Sequence, residues 1–291
     1  MKKLRVAILG SGNIGTDLLI KIQRSEYLEC VLFSGRNLSS PGMTKAIALG
    51  VRVSDESIGA ILKNPGTVDL VFDATSAKDA KVHWGILDKL GKIVIDLTPA
   101  KLGLLCIPAV NLDEVLKHRN VNMITCGGQA AIPLAYIIGK TQKRVKYIEV
   151  VSSIASRSAG PATRLNLDEY IDTTENGIMH FSEVSETKAI LNLNPANPCI
   201  DMQTTIFAQL ENPDMDFLNS EVDIMVKKIQ EYVPGYSLLV PPIYENGRIV
   251  IMVKVQGLGD YLPKYAGNLD IINCAAIAVA EQYSKFYINM N

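Results

Sequence analysis

Aromatic residues and basic stretches are scarce in this chain of 291 residues. Phe, Trp and Tyr together make up 6% of it, with a single tryptophan, and the formal net charge is −1 at pH 7. Without a surplus of Lys and Arg there is little to neutralise a phosphate backbone, and few rings are available to stack on bases. The composition therefore argues against a nucleic-acid-binding protein.

Cysteine is also scarce, and its pattern excludes two classes of small scaffold. The five cysteines include no C-x-x-C pair, which argues against a disulfide framework, a zinc ribbon or any other metal site. No apolar run approaches the roughly 18 residues that cross a bilayer. The apolar run near the N-terminus passes into glycines without the cleavage pattern of a signal peptide. We expect reduced thiols and a cytoplasmic location.

What the chain does have is ordinary globular composition, with 48% hydrophobic and 20% charged residues. Its length suggests about two domains. In the first part, strand-like runs at 4–9, 28–35, 68–74 and 92–98 alternate with helical patterns at 40–49 and 78–91. This alternation predicts an α/β fold with a Rossmann-type, doubly wound parallel sheet.

The character of the chain changes near residue 130. A long strand is predicted at 145–156, and Asn246-Gly247 between two apolar runs is a strong hairpin signal. This part is typical of an α+β domain with an antiparallel or mixed sheet. An apolar helix at 268–287 is expected to pack back on the first domain. The predicted domains are therefore 1–128 with 266–291, and 129–265.

A glycine fingerprint, Gly10, Gly12 and Gly15, lies between the first strand and the first helix. Gly10 suits the tight turn, Gly12 the approach of a pyrophosphate, and Gly15 the packing of helix on strand. The N–H groups at the start of the helix would then face the phosphates. The pattern predicts a dinucleotide site, and the alternative is a glycine-rich turn in a domain that binds no nucleotide.

The end of the second strand lacks the acidic residue of NAD-preferring sites. It reads Ser34-Gly35-Arg36-Asn37, so Arg36, together with Ser34 and Asn37, could hold the 2′-phosphate of NADP. In the alternative interpretation Arg36 is a solvated charge and backbone groups hold the ribose. The choice between NAD and NADP stays open at this point.

Cys126 differs from the other cysteines in its setting. It follows a predicted strand, VNMIT, and precedes Gly127-Gly128 and a predicted helix. A thiol at such a place can have a depressed pKa, and the glycine N–H groups could stabilise an oxyanion. Cys126 is therefore a candidate nucleophile. The alternative is a buried cysteine that packs as a small hydrophobe, which is the prediction for Cys30, Cys106 and Cys274.

The histidines do not provide an obvious base for Cys126. His83 and His118 are expected to be solvated, and His180 is expected at the surface or in packing.

A polar segment at 156–170 is the third candidate for a functional site, because small residues there precede Arg164, Asn166 and Asp168. It could line the nicotinamide or acyl pocket, or it could be no more than a capped helix start.

Several longer stretches carry a resemblance to a known family. They are GSGNIGTDL (10–18), VFDATSA (71–77), IDLTPA (95–100), PAVNLDE (108–114), NVNMITCGGQAAIP (120–133), SIASRSAGPATRLNLDE (153–169), LNPANP (193–198), YVPGY (232–236) and GDYLPKYAGNLDI (259–271). They run through nearly the whole chain. The chain resembles the acylating acetaldehyde dehydrogenases that accompany 4-hydroxy-2-oxovalerate aldolases in meta-cleavage pathways of aromatic hydrocarbon catabolism.

The resemblance implies a Rossmann domain followed by a catalytic and dimerisation domain, with NAD or NADP as cofactor and coenzyme A (CoA) as co-substrate. Cys126 matches the family's nucleophile, which attacks the aldehyde, passes a hydride to the nicotinamide and leaves a thioester for CoA. The Asn166 amide and N–H groups near Cys126 are candidates for the oxyanion donors. A homodimer, and a heteromer with the aldolase, are also implied.

Three segments match the family's cofactor-binding segments. With the fingerprint glycines and Arg36, the predicted cofactor-binding residues are Gly10, Ser11, Gly12, Asn13, Ile14, Gly15, Arg36, Ser158, Ala159, Gly160, Pro161, Ala162, Thr163, Arg164, Leu165, Asn166 and Asn268. The predicted catalytic residues are Cys126 and Asn166.

The chain also departs from the family's pattern. Thr204 lies where an aspartate that assists the thiol is expected, and threonine is no equivalent base at neutral pH. Asp201 is a poor substitute, since three residues along a strand would place it on the opposite face. Two alternatives follow. One is a dehydrogenase or reductase that acts on another acyl thioester or aldehyde; the other is a nucleotide-binding, non-catalytic subunit of an aldolase complex.

Overall fold

The computed structural model describes residues 3–160, 163–164 and 166–288. The chain divides into two compact units. The first comprises Met1–Met123, Asp260–Leu262 and Asn273–Asn291, and the second comprises Ile124–Gly259 and Pro263–Ile272. The predicted domains, 1–128 with 266–291 and 129–265, differ from these limits by a few residues and stay a prediction.

The first unit contains a parallel sheet whose described strands lie in the order β3-β2-β1-β4-β5-β7-β6. These strands are β1 (Leu4–Leu9), β2 (Leu28–Ser34), β3 (Val53–Ser54), β4 (Leu70–Asp73), β5 (Ile93–Asp96), β6 (Leu104–Leu105) and β7 (Asn120–Asn122). The chain reverses direction across the sheet between β1 and β4, where doubly wound folds bind their ligands. The predicted Rossmann-type α/β domain is confirmed.

The helices of this unit follow the strands in the predicted alternation. They are α1 (Asn13–Arg24), α2 (Pro41–Ala48), α3 (Gly59–Lys63), α4 (Ala77–Leu87) and α5 (Pro108–Val115). Strands β1 and β4 are almost completely buried, because helices cover both faces of a parallel sheet. Their apolar side chains form one core with α3 and α4 that includes Leu9, Ile61, Val71 and Leu87.

The second unit contains a mixed sheet in the order β11-β12-β10-β8-β9, in which β8 and β9 are parallel and the other neighbours antiparallel. Its strands are β8 (Tyr147–Ala155), β9 (Thr187–Asn194), β10 (Met202–Gln209), β11 (Tyr236–Glu245) and β12 (Arg248–Val255). The predicted hairpin joins β11 and β12. Asn246 and Gly247 have φ values of 51° and 77°, as a two-residue turn with positive φ at both positions requires.

Three of the described helices pack together in this second unit. They are α6 (Cys126–Thr141), α7 (Leu167–Ser182) and α8 (Met215–Gln230), and α6 packs against both of the others as well as against β8 and β10. The mixed α+β character predicted for this part is confirmed. None of the helices in the described part of the chain is long and apolar enough to cross a membrane.

The last helix, α9 (Gly267–Ile288), begins in the second unit and ends in the first. Its C-terminal half is bound to the first unit, because the Tyr283 hydroxyl lies 2.7 Å from the carbonyl oxygens of both Val115 and His118. The Ser284 hydroxyl donates to the Tyr27 carbonyl at 3.0 Å. The expected packing of this helix on the first domain is confirmed.

Two carboxylates end neighbouring strands at the carboxyl edge of the parallel sheet. Asp96, at the end of β5, accepts hydrogen bonds from the Thr98 N–H at 2.8 Å and from Asn122 Nδ2 at 2.9 Å. Despite these donors, burial above all, together with the nearby Asp73 carboxylate, raises the pKa of Asp96 to about 7. The folded state therefore binds a proton at Asp96 that the unfolded chain has released.

This difference makes stability depend on pH. Between about pH 4, near the unfolded pKa, and about pH 7, the free energy of unfolding should fall as pH rises, by at most about 1.4 kcal/mol per pH unit. Asp96→Asn should flatten this dependence, as measured by urea unfolding at several pH values. Asp55→Asn, which removes an exposed carboxylate, is the control for the loss of one negative charge. An unchanged pH dependence in Asp96→Asn would show that Asp96 is ionised throughout.

Candidate active site

The glycine loop between β1 and α1 has the shape that a phosphate group needs. Gly10 has φ +111°, and a Cβ there would lie 2.4 Å from the Ala74 carbonyl oxygen. A Cβ at Gly15 would lie 1.9 Å from the Gly10 carbonyl oxygen, so the first turn of α1 lies directly against the loop. These two positions accept only glycine.

Gly12 is different, because its surroundings are open. No heavy atom lies within 4 Å of a Cβ built there. Gly12 is the N-cap of α1, and no side chain in the described part of the chain caps this helix. The first turn, which begins with Asn13 and Ile14, contains no acidic residue. The N–H groups at this helix start, in an open and uncapped loop, suit an anionic group such as a pyrophosphate. The residues present therefore fit a dinucleotide.

Neighbouring hydroxyls hold the loop in place. Ser40 Oγ donates to Ser11 Oγ at 3.1 Å, and a Cβ at Gly35 would lie 2.5 Å from Ser11 Oγ. The Ser34 hydroxyl donates to the carbonyl oxygens of Ser54 and Ser57, at 3.0 and 3.1 Å. Because that proton is already bound, Ser34 is not available as a phosphate donor, contrary to the suggestion from the sequence.

Arg36 and Asn37 follow β2 on the surface of the same unit. Both are exposed. The Asn37 side-chain oxygen accepts a hydrogen bond from the Ser39 N–H at 2.8 Å, which leaves its NH₂ group to donate elsewhere. The two side chains thus remain the candidates for contact with a ribose or its 2′-phosphate, and their predicted role stays a prediction.

Cys126 lies in the second unit and is the first residue of α6. The Thr125 hydroxyl caps this helix by accepting from the Gly128 N–H at 2.9 Å. Ile124, the residue before Thr125, has φ +62°, a conformation that β-branched residues rarely adopt. The thiol is therefore presented at a helix N-terminus by a strained turn, and strain of this kind is concentrated at functional sites.

The thiol has a tyrosine beside it. Tyr170 Oη lies 3.5 Å from Cys126 Sγ and accepts a hydrogen bond from the Gly127 N–H at 2.9 Å. Burial raises the pKa of the Cys126 thiol, and the bonds from Tyr170 and the Gly127 backbone lower it. The expectation that the helix N-terminus depresses this pKa is therefore wrong. The cost of desolvating the thiolate outweighs the hydrogen bonds that stabilise it.

Two hydrogen-bonded hydroxyls join the start of α6 to α7. Thr125 Oγ1 lies 2.7 Å from Thr174 Oγ1, and Thr174 Oγ1 donates to the Tyr170 carbonyl oxygen at 2.7 Å. Since Thr174 has one hydroxyl proton, Thr125 is the donor of the pair. Thr125, Tyr170 and Thr174 are all buried. These bonds link the Tyr170 backbone to the residue that caps α6.

Thr204, on β10, is buried and pairs with Ser152 on the adjacent strand β8, with the two hydroxyl oxygens 3.0 Å apart. Ser152 Oγ in turn lies 3.0 Å from a Cβ built at Gly127. The position where the resemblance implies an aspartate is thus near the first turn of α6. Asp201 precedes β10 and accepts from Gln256 Nε2 at 3.2 Å.

The segment 156–166 contains many of the predicted cofactor-binding residues. The Ser158 hydroxyl donates to the Ala155 carbonyl at 2.8 Å, and the Arg164 guanidinium donates to the carbonyl oxygens of Ala159 and Ser156. These bonds hold the segment in its own conformation. Among the residues that the structure describes, none has a heavy atom within 4 Å of a Cβ built at Gly160. Pro161, Ala162 and Leu165 lie outside the described residues.

Asn166 and Asn268 are also in the second unit. Asn166 precedes α7, and its carbonyl accepts from the Tyr170 N–H at 3.0 Å, so Asn166 lies one helical turn from the tyrosine that contacts Cys126. Asn268 is 1% exposed, and its Oδ1 has no hydrogen-bond partner among the described residues. A buried oxygen without a donor fits a ligand contact. The site roles of Asn166, Thr163 and Asn268 stay predictions.

The histidines differ in part from expectation. His118 and His180 are exposed. The prediction that His83 is solvated is wrong, because it is 5% exposed and its Nδ1 lies 2.7 Å from Asp73 Oδ2. In α4 it faces the end of β4, where the carboxylate compensates the burial of the ring.

The remaining cysteines agree with the sequence. Cys30, Cys106 and Cys274 are buried, whereas Cys126 and Cys199 are partly exposed.

The residue that the sequence analysis missed is Tyr170. It is the fourth residue of α7, and only the fold brings this position to Cys126.

Comparison with known proteins agrees with this geometry. A family model described as "Prokaryotic acetaldehyde dehydrogenase, dimerisation" matches residues 126–263. A protein named acetaldehyde dehydrogenase from Spirochaeta aurantia is 62% identical over 98% of this chain and 96% of its own length. One of the same name from Pectobacterium atrosepticum is 59% identical over 98% and 97%.

A solved structure shows the same fold at much lower identity. The crystal structure of aspartate semialdehyde dehydrogenase II from Vibrio cholerae, complexed with ASA, superposes with a TM-score of 0.62 and 14% identity, over 99% of both chains. This similarity shows the fold alone. The identity to the two bacterial relatives extends over nearly the whole of each chain and shows more: this chain belongs to the acetaldehyde dehydrogenase family of oxidoreductases.

Proposed function

We propose that the chain is a CoA-acylating aldehyde dehydrogenase that converts a short-chain aldehyde to acyl-CoA through a thioester on Cys126. The observation that carries the proposal is the setting of this thiol. It is partly exposed, begins a helix, and has a hydroxyl and a backbone N–H directly beside it. Family membership supports the proposal, because the dehydrogenase reaction needs a group that holds the aldehyde during oxidation.

NAD or NADP is the proposed cofactor. The loop Gly10–Gly15 would hold the pyrophosphate, since Gly12 is open and α1 begins without a side-chain cap. Arg36, the segment from Ser158 to Asn166, and Asn268 are proposed as further contacts. The nicotinamide, when bound, supplies the hydride acceptor that turns the aldehyde adduct of Cys126 into a thioester.

The residues of this chain hold the acyl group before and after that change. The Cys126 thiolate adds to the aldehyde carbon, and the carbonyl oxygen becomes an oxyanion. The Asn166 amide and N–H groups near Cys126 are proposed to stabilise this charge. In the last step a CoA thiolate adds to the thioester carbon, and the Cys126 thiolate leaves as acyl-CoA forms.

The test is a cofactor-coupled absorbance assay with acetaldehyde or propionaldehyde, CoA, and NAD or NADP. Cys126→Ala should lower CoA-dependent turnover by about three orders of magnitude or more, because no other group forms the thioester. Binding of the oxidised cofactor, followed by calorimetry, should be nearly unchanged. Cys199→Ala removes the other partly exposed thiol and should retain wild-type turnover. Substantial turnover in Cys126→Ala would falsify the covalent mechanism.

Arg36 allows the choice of cofactor to be tested. If it contacts a 2′-phosphate, Arg36→Asp should weaken NADP binding relative to NAD by about tenfold or more, since bonds to charged groups contribute about 1.5–3 kcal/mol. Dissociation constants for both cofactors are the measurement. Arg144→Asp makes the same charge change at an exposed position of the second unit and is the control. An unaltered ratio in Arg36→Asp would mean that Arg36 is a solvated charge.

We also propose a homodimer, with the aldolase as a possible heteromeric partner. The matched family model is described as a dimerisation region and covers most of the second unit. The edge strands of its sheet carry exposed apolar side chains, which are Ile190, Leu239, Ile243 and Tyr244. Light scattering of the purified chain measures the dimer directly.

The pairing of Thr204 with Ser152 favours a second candidate, a dehydrogenase of the same type that acts on a different acyl group. No carboxylate occupies position 204, where the resemblance implies one. A panel of aldehydes and acyl thioesters of varied chain length, assayed in both directions, distinguishes the two. Binding of nucleotide without turnover on any of them would favour the non-catalytic subunit.

A further inference from the structure

The hydroxyl of Tyr170 occupies a position between two groups of the first turn of α6. Its oxygen lies 3.5 Å from Cys126 Sγ and 2.9 Å from the Gly127 nitrogen. The backbone N–H has its own proton and no acceptor capacity, so it donates to the hydroxyl oxygen. The hydroxyl proton of Tyr170 is therefore left for another acceptor.

The protonation state of the Cys126 sulfur decides which atom donates in the bond between Sγ and Tyr170 Oη. A thiolate has no proton, so between Oη and a deprotonated Sγ the only available proton is that of Tyr170. We propose that Tyr170 is a catalytic residue that donates a hydrogen bond to the Cys126 thiolate, both when the thiolate attacks the aldehyde and when it leaves the thioester. This inference rests on the proposed role of Cys126 as the nucleophile.

Tyr170 acts as a donor and not as a base. Burial and the adjacent Cys126 raise the pKa of its hydroxyl well above the ordinary value, so it keeps its proton at any physiological pH. Hydrogen bonds to an ionised acceptor are about twice as strong as those between neutral groups. The bond therefore strengthens when the thiol loses its proton, and it favours the form that reacts.

The residue after the thiol must be small for this contact to exist. A Cβ at Gly127 would lie 2.3 Å from Tyr170 Oη, closer than atoms can approach. Glycine at this position thus has a reason besides the freedom of its own backbone. It leaves room for the tyrosine hydroxyl and keeps the Gly127 N–H within reach of it.

The tyrosine is also fixed in place. It is 8% exposed, and its carbonyl accepts the Thr174 hydroxyl, which is linked through Thr125 to the cap of α6. A donor held by its surroundings loses little conformational freedom when the thiolate forms. This is the property expected of a preorganised site.

The experiment measures the titration of Cys126 without any substrate. The rate of alkylation by iodoacetamide is followed against pH, and the peptide that contains Cys126 is quantified by mass spectrometry. In Tyr170→Phe the midpoint should rise by about one pH unit, which corresponds to about 1.4 kcal/mol. At pH values below the midpoint, the alkylation rate should then be about tenfold lower than in the wild type. The midpoint is the readout because the intrinsic reactivity of a thiolate changes with its pKa.

Tyr236→Phe is the matched control. Like Tyr170, Tyr236 is buried in the second unit, and its hydroxyl donates to the Ala130 carbonyl of α6 at 2.8 Å. Tyr236→Phe removes a buried hydroxyl bonded to the same helix, so thermal unfolding of this variant should show a loss of stability similar to that of Tyr170→Phe. Its alkylation midpoint should equal that of the wild type. Equal shifts in both variants would overturn the proposal and indicate a general loosening of α6.

A double-mutant cycle tests the contact itself. Gly127→Ala should displace the hydroxyl and raise the midpoint as Tyr170→Phe does, whereas adding it to Tyr170→Phe should have little further effect. Additive shifts would overturn the proposal, as would an unchanged midpoint in Tyr170→Phe.

The two proposals fail separately. Alkylation needs no aldehyde, cofactor or CoA, so a shifted midpoint in a protein that acylates no CoA would reject the proposed function and keep the tyrosine contact. Cys126-dependent turnover with an unshifted midpoint would reject the role of Tyr170 alone.

Discussion

The start of helix α6 is the constraint on which the proposed chemistry of this protein depends. Thr125 caps it, Cys126 opens it, and the Gly127 N–H donates to Tyr170. Helix starts have N–H groups without partners in the helix, and here one of them is bonded to a side chain that also contacts the thiol. The same groups that complete the helix therefore define the surroundings of the sulfur.

The two compact units have different tasks in the proposed function. In the first, a parallel sheet reverses its order beside a glycine loop that is crowded at Gly10 and Gly15 and open at Gly12. In the second, a mixed sheet supports α6 and α7 and places Ser152, which pairs with Thr204, near the first turn of α6. Each task follows from local geometry: close backbone approach for an anion in one unit, and a thiol between donors in the other.

Local patterns were reliable where one physical rule dominates. The glycine fingerprint between β1 and α1 and the Asn246-Gly247 turn have conformations that few other residues adopt, and both were predicted at the right place. The environment of His83 was not predicted correctly, because an amphipathic pattern does not show that Asp73 lies beside this side chain at the end of β4. The pKa of Cys126 was misjudged for a related reason, since burial is a property of the packed chain.

The sequence by itself determined the fold class, the glycine loop, the candidate thiol and the family, because each depends on short motifs whose backbone or chemistry tolerates few alternatives. Only the tertiary structure decided what surrounds that thiol. Tyr170 is 44 residues from Cys126 along the chain. It reaches the sulfur because α6 and α7 pack together, because Thr125 at the start of α6 is hydrogen-bonded to Thr174 of α7, and because Gly127 has no side chain in the way.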